Sequence, residues 1–309
     1  MTGASGELVL AEHRGPVLVL TFNRPATLNA WTDALEDGYF ALLDAAEDDP
    51  DVRAVVVTGA GRGFCSGADL QLLRSVREID EASAADTARR RPRDLPLTLR
   101  KPLIGAVNGV AAGLGMVKAL YCDLRFGSPS ARFTTAFAQR GLIAEYGISW
   151  LLPRLVGHSR AMALLLSSRM VDADEALRIG LLDHLIPTGS VVDAAVAYAA
   201  DLAARCSPGS MATIESRLHH DADGTYADSV TRAESLMLQA FHGRCRRRRG
   251  RPPREAPTEF SSPTPVRSSD VPVRDVGSRQ EVPGGPAGVH GLAHLPRRVG
   301  LPRADARLR

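Results

Sequence analysis

Three short stretches hold groups whose types and spacing could do chemistry. The first is RGLIAEYG, Arg140 to Gly147, where a lone carboxylate, Glu145, follows the apolar run Leu142-Ile143-Ala144. A carboxylate kept partly dry is a stronger base than one in water, because desolvation raises its pKa. Taken alone, Glu145 reads more readily as a helix-start carboxylate or a surface ion pair. The other two stretches are FCSGADL (64–70) and NGVAAGLG (108–115), each following a strand-like run and leading into a helix. N–H groups at such turns lack intrahelical acceptors, and the helix dipole adds positive potential. Two of these turns converging would make an oxyanion hole, whereas either one alone reads as a packing turn.

Other arrangements fall short of a site. VVVTGAGRGF (55–64) has glycines after a strand, but in GxGxG spacing and with no acidic residue ending a later strand, so a dinucleotide site is excluded. No Lys-Ser/Thr pair follows, which excludes a phosphate-binding P-loop as well. Cys65-Ser66 offers a nucleophile without a histidine at a partner position. The eight histidines form no HExxH or HxH cluster, and the four cysteines no CxxC spacing. No metal and no separate cofactor is expected. The basic run Arg246 to Arg249 lacks interleaved aromatic residues, so no nucleic-acid partner is expected either.

The elements that must position these groups follow from periodicity. Residues 7–13 and 17–22 read as strands around Gly15-Pro16, and 52–59 and 101–109 as buried strands. Leu35, Tyr39, Leu42 and Leu43 give 31–46 a helical stripe, and a helix starts after Gly113. Residues 70–92 read as a charged helix, and DLRFGS and ARFTTA as short strands. From Ile148 to Leu166, and over 173–179, 190–205 and 227–241, the pattern is helical. Strand-strand-helix units thus come first and a mostly helical end follows, an α/β arrangement.

Bulk properties split the 309 residues in two. The net charge of +3 averages a basic end, with 15 arginines against 6 acidic residues from Arg244 onward, and an acidic body. That end holds 10 of the 20 prolines and no apolar periodicity, which predicts disorder over 244–309. No apolar run approaches the roughly 20 residues of a membrane span. MTGASGELVLAEHRG has no basic region followed by an apolar core, so neither a signal peptide nor a membrane partner is expected. Scattered cysteines fit a reducing compartment, and the expected location is cytoplasmic.

Taken with LTFNRPATLNA (20–30), the segments FCSGADL, KPLIGAVNGVAAGLG, CDLRF, ARF, WLLPRLVG (150–157) and LSSRMVDADEALRIGLLDHLIP (166–187) are collinear with a known pattern. Over residues 7–243 the chain resembles the enoyl-CoA hydratase/isomerase (crotonase) superfamily. The resemblance implies a spiral of ββα units over 1–190 and a helical trimerisation region over 191–243, hence a homotrimer or hexamer. It also implies an acyl-CoA thioester as substrate, coenzyme A being part of that substrate. Carried over by position, the N–H groups of Ala68 and Leu114, the latter after Gly113, form the oxyanion hole. Arg24, Ala26, Leu28, Ser66, Asp69 and Leu70 line coenzyme A, and a cation on the loop after a strand suits Arg24 to phosphate.

Two departures from that pattern matter. Hydratases similar to this chain carry two glutamates that activate water and protonate Cα; their positions here are Val117 and Phe137. Two apolar side chains can do neither. Glu145 lies eight residues past Phe137, where isomerases similar to the phenylacetate-pathway enoyl-CoA isomerases, and dehalogenases of the superfamily, carry an acidic group. The expected activity is double-bond isomerisation by one glutamate, with Phe137 and Val117 as its dry wall. The alternatives are an enoyl-CoA hydratase using Glu145, and a catalytically weak CoA-binding protein. Lys118 stands where the superfamily has a small or apolar residue and reads as a snorkelling side chain. Trp31, Tyr146 and Trp150 read as core more than as an acyl pocket. At the end, RCRRRRGRPPREAPTEF (244–260) replaces the pattern's last segment, and DVAEGVAAHLEKRPPN is an allowed reading one nucleotide later. The 244–309 tail is therefore expected to be out of frame.

Overall fold

The structure, a computed structural model, describes residues 7–69 and 91–248. β1 (Val9–Arg14) and β2 (Val17–Phe22) form an antiparallel hairpin, turned by Gly15 at a φ of +61°. β3 (Ala54–Gly59), β5 (Leu103–Val107), β7 (Leu124–Gly127) and β10 (His184–Leu185) extend it in parallel, in the order β1-β2-β3-β5-β7-β10. A smaller sheet runs β4 (Gly63–Cys65), β6 (Val110–Ala112), β8 (Arg132–Thr134), β9 (Val171–Asp172), antiparallel only at its last pair.

Consecutive strands therefore alternate between sheets: β3 then β4, β5 then β6, β7 then β8. Each turn of the spiral lays one strand on each sheet, and α1 (Asp33–Asp48) and α2 (Leu114–Leu120) complete ββα units. Asn108 ties successive corners together, donating from Nδ2 to Gly59 O and Gly61 O, both at 2.9 Å. Such corners leave no room for side chains. A β-carbon on Gly109 would sit 2.1 Å from Arg62 O, and one on Gly115 would sit 2.0 Å from Cys65 O.

Strand alternation sends side chains to two cores. Leu18, Leu20, Val55, Val57 and Leu103 face the main core with α1 and α2, while Val17, Val19, Val56 and Ile104 face the other side. There α6 (Val191–Arg205) covers them with Val191, Ala195 and Ala199. A helix placed by the sequence in the C-terminal region thus closes the sheet's outer face. Thr32 caps α1, accepting from Leu35 N at 3.2 Å, which starts the helix two residues later than its periodicity indicated.

The expected helix from Ile148 to Leu166 is two, α3 (Ile148–Val156) and α4 (His158–Ser167), because Gly157 leaves helical space at φ +83° and ψ 154°. α5 (Ala173–Ile179) has Asp172 as its cap, with Glu175 N donating at 2.8 Å. α7 (Pro208–Asp221) lies in the region expected to be helical but outside the ranges read from periodicity; none of its side chains is fully buried, so it has no sharp apolar stripe to read. α8 (Tyr226–Arg248) runs past Gly243, where a disordered tail was expected to begin. The expected helix at 70–92 lies outside the described residues over 70–90, as does the tail from 249. Among the described residues no helix is long and apolar enough to cross a membrane.

The corner geometry carries a test. Gly115→Ala, although alanine is the better helix former, should destabilise the protein by about 1–3 kcal/mol through overpacking. Urea unfolding followed by circular dichroism measures it, and an unchanged midpoint would mean that the two turns are not in fixed contact.

Candidate active site

The two glycine turns meet. Gly67 has a φ of +98°, and a β-carbon on it would lie 2.8 Å from Ala112 O and 3.8 Å from Leu114 N. Trp31 holds the first turn from behind: its N–H donates to Gly67 O at 2.7 Å, and its carbonyl accepts from Asp69 N at 2.8 Å. In this parallel bridge the residue between, Ala68, turns its own N–H away from Trp31. Leu114 opens α2, so its N–H has no intrahelical acceptor. Gly113, at a φ of +50°, makes the turn into that helix.

Ser66, Ala68, Gly113, Leu114, Phe137 and Glu145 line one cavity of about 90 Å³. Six of the residues expected at a site are therefore brought together. Val117 is fully buried on α2 and does not line the cavity, so the expected dry wall is Phe137 with Leu142 rather than Phe137 with Val117. Ile143, which looked apolar cover for Glu145, is 77% exposed.

The residues expected along coenzyme A form a neighbouring cluster. Ser66 donates its hydroxyl to Thr27 O at 3.0 Å and its N–H to Leu28 O at 2.9 Å. Ala26 is exposed and Leu28 half-buried. Arg24 does not reach outward: both terminal nitrogens lie 3.0 Å from Asp69 Oδ2, and one also donates to Ala30 O. It braces the turn that carries Ala68. Asn29, buried at a φ of +58°, accepts from Arg24 N and donates to Ala60 O and Gly63 O. Leu70 lies outside the described residues.

Glu145 sits half-buried on a loop of tight turns. Tyr146 and Gly147 both have positive φ, 55° and 74°, which is a strained geometry for tyrosine. Tyr121 holds it, donating its hydroxyl to Tyr146 O at 2.8 Å. Burial raises the Glu145 carboxyl above its ordinary value, and the charge of Arg93 partly opposes that. Arg93 was missed in the sequence, where RRRPR read as the charged end of a helix. It lines the cavity, its Nη1 donates to Tyr146 Oη at 3.1 Å, and its guanidinium lies 5.2 Å from the Tyr146 ring centre. Arg93 and Tyr146 also border a second cavity of about 390 Å³, lined in part by Trp150, Leu97 and Leu151. Tyr146 and Trp150 are thus cavity residues, while Trp31 is core.

Two other reactive groups stay out of this site. Burial pushes the Cys65 thiol up to about 12, which leaves it without thiolate character. Among the described residues, Asp123, Glu215 and His219 bring ligand atoms within 4.8 Å of one another. Burial, with the charges of Asp123 and Glu47, pushes the Glu215 carboxyl up to about 8, so a proton relieves the repulsion there. None of the three lines either cavity beside Glu145.

A spiral of ββα units whose strand-to-helix turns open on one cavity is the crotonase architecture. The sequence profile of the enoyl-CoA hydratase/isomerase family matches residues 12–254, and this chain belongs to that family. The match runs past Gly243, where the resemblance read from the sequence ends. The chain is 42% identical over 211 residues to a Mycobacterium bovis protein named probable enoyl-CoA hydratase, covering 65% of this chain and 74% of the relative. It is 36% identical over 208 residues to the 1,2-epoxyphenylacetyl-CoA isomerase of Escherichia coli, covering 64% and 76%. The crystal structure of an enoyl-CoA hydratase from Mycobacterium marinum superposes with a TM-score of 0.59 at 43% identity, covering 70% of this chain and 98% of that one.

Removing the Arg93 charge should move Glu145 further up, since only burial would then act on it. A carboxyl-carbon NMR titration of Arg93→Gln should show the Glu145 midpoint above that of the unaltered protein. An equal or lower midpoint would contradict the electrostatic assignment.

Proposed function

We propose that this member of the family isomerises the double bond of an enoyl-CoA, with Glu145 as the single proton carrier. The observation that carries the reading is one half-buried carboxylate, raised by desolvation, in the same cavity as Ala68 and Leu114. Among the described residues lining that cavity Glu145 is the one carboxylate. The two positions at which hydratases carry glutamates hold Val117 and Phe137.

In this reading the thioester oxygen accepts from Ala68 N–H and Leu114 N–H. Glu145 takes a proton from C2 of a 3-enoyl thioester, and the electron pair moves through C2 onto the oxygen as a dienolate. Each donor stabilises the developing charge by roughly 3–4 kcal/mol. The carboxylic acid then returns the proton to C4, which moves the double bond from C3=C4 to C2=C3 and restores the thioester. No water enters the balance. The coenzyme A portion lies along Arg24, Ala26, Leu28, Ser66, Asp69 and Leu70, with Phe137 against the acyl group. We also assign self-association to α7 and α8, where Ile214, Leu218 and Tyr226 are exposed. A cytoplasmic location and the absence of a separate cofactor belong to the same reading.

Hydration with Glu145 activating water is the second reading, supported by the hydratase names of several relatives. A proton NMR time course of a 3-enoyl-CoA in deuterated water separates the two. Isomerisation gives the 2-enoyl product with no 3-hydroxyacyl signal, and with deuterium at C4 only so far as the protonated Glu145 exchanges with solvent before it returns its proton. Glu145→Gln should lower turnover at least 100-fold while coenzyme A binding persists. Accumulation of 3-hydroxyacyl-CoA would overturn the isomerase reading, and full activity of the Gln variant would remove Glu145 from the mechanism.

A further inference from the structure

Lys118 was expected to snorkel to solvent, yet its side chain is 1% exposed. It sits on α2 one turn beyond Leu114, boxed by aromatic rings: its Nζ lies 4.7 Å from the Trp31 ring centre, 5.0 Å from Phe40 and 5.4 Å from Tyr121. Its ion-pair partner is Glu36 on α1, with Nζ 3.2 Å from Oε2 and the carboxylate itself 5% exposed. That same oxygen accepts from Trp31 Nε1 at 3.0 Å. Lys118 Nζ also donates to Arg93 O at 3.2 Å, and Arg93 Nε lies 3.7 Å from Glu36 Oε1. Burial depresses the ammonium to about 8, and the carboxylate of Glu36 opposes that fall.

A buried ion pair is weak evidence for stability, since apolar residues of similar volume often serve as well. The pair has a feature that stability does not require: it links α1 to three segments that line or adjoin the cavity. Lys118 is on the helix whose first residue is Leu114. Glu36 fixes the indole of Trp31, whose backbone brackets Ala68 through Gly67 O and Asp69 N. Both partners reach Arg93, the cation facing Glu145. We infer that Lys118 and Glu36 are positioning residues that hold the Ala68 and Leu114 N–H groups, and the Arg93 backbone, in register around the thioester.

The inference rests on the oxyanion reading above, and the test keeps the two apart. The probe is butyryl-CoA carrying ¹³C at the thioester carbonyl; it is saturated, so it has no double bond to move. Bound to the unaltered protein, its carbonyl resonance should shift downfield through hydrogen bonding to the two N–H groups. Lys118→Met alone strands a buried carboxylate and could simply unfold the chain. The double variant E36M/K118M removes both charges at similar volume and should fold, as judged by circular dichroism. It should bind coenzyme A normally, lose most of the carbonyl shift, and lower kcat about 100-fold with little change in KM. Trp31→Phe keeps an aromatic ring but lacks the Nε1–H donor, and should lose part of the shift. A full carbonyl shift with intact kcat in either variant would overturn the positioning role. No shift in the unaltered protein would overturn the oxyanion reading, and this inference with it.

Discussion

Among the described residues the tightest constraint is the backbone approach of the two glycine turns. Gly115 packs against the Cys65 carbonyl and Gly67 against that of Ala112, at distances where a β-carbon would collide. Everything else at the site depends on that contact, because the donor groups belong to the backbone and move only as the turns move. Trp31 fastens one turn through two hydrogen bonds, and the helix beginning at Leu114 fixes the other. Arg24 and Asp69 then brace the first turn from its outer side.

Around these fixed donors the charges are graded. Lys118 and Glu36 are fully enclosed and neutralise each other, Arg93 is shared between that pair and the cavity, and Glu145 is half-buried on the cavity wall. Desolvation raises Glu145 while the charge of Arg93 restrains the rise, a balance that the proposed proton carrier would need. The strained Tyr146 backbone beside it is held by Tyr121, so the carboxylate is presented by a loop with little freedom to turn away.

Much of this was legible in the sequence because backbone function leaves glycine signatures. FCSGADL and NGVAAGLG announced two turns, and the alternation of apolar runs announced the ββα order. What stayed hidden was carried by side chains that meet across long sequence separations. Arg93 gave no sign beyond its charge, and Lys118 read as a surface lysine because its partner, Glu36, lies 82 residues away. Arg24 read as a phosphate ligand, and its pairing with Asp69, 45 residues on, left no local sign. Weakly amphipathic α7 left no periodic pattern for a different reason, since none of its side chains is fully buried.

Direct transfer of one proton between two carbons is the central claim, and isotope tracing tests it most directly. A 3-enoyl-CoA deuterated at C2 would be converted in ordinary water under single-turnover conditions, and the product analysed by deuterium NMR. Transfer by Glu145 predicts a measurable fraction of the label at C4 of the 2-enoyl product. Complete loss of the label to solvent, together with a hydroxyl group at C3, would contradict the account and assign the carboxylate to water activation.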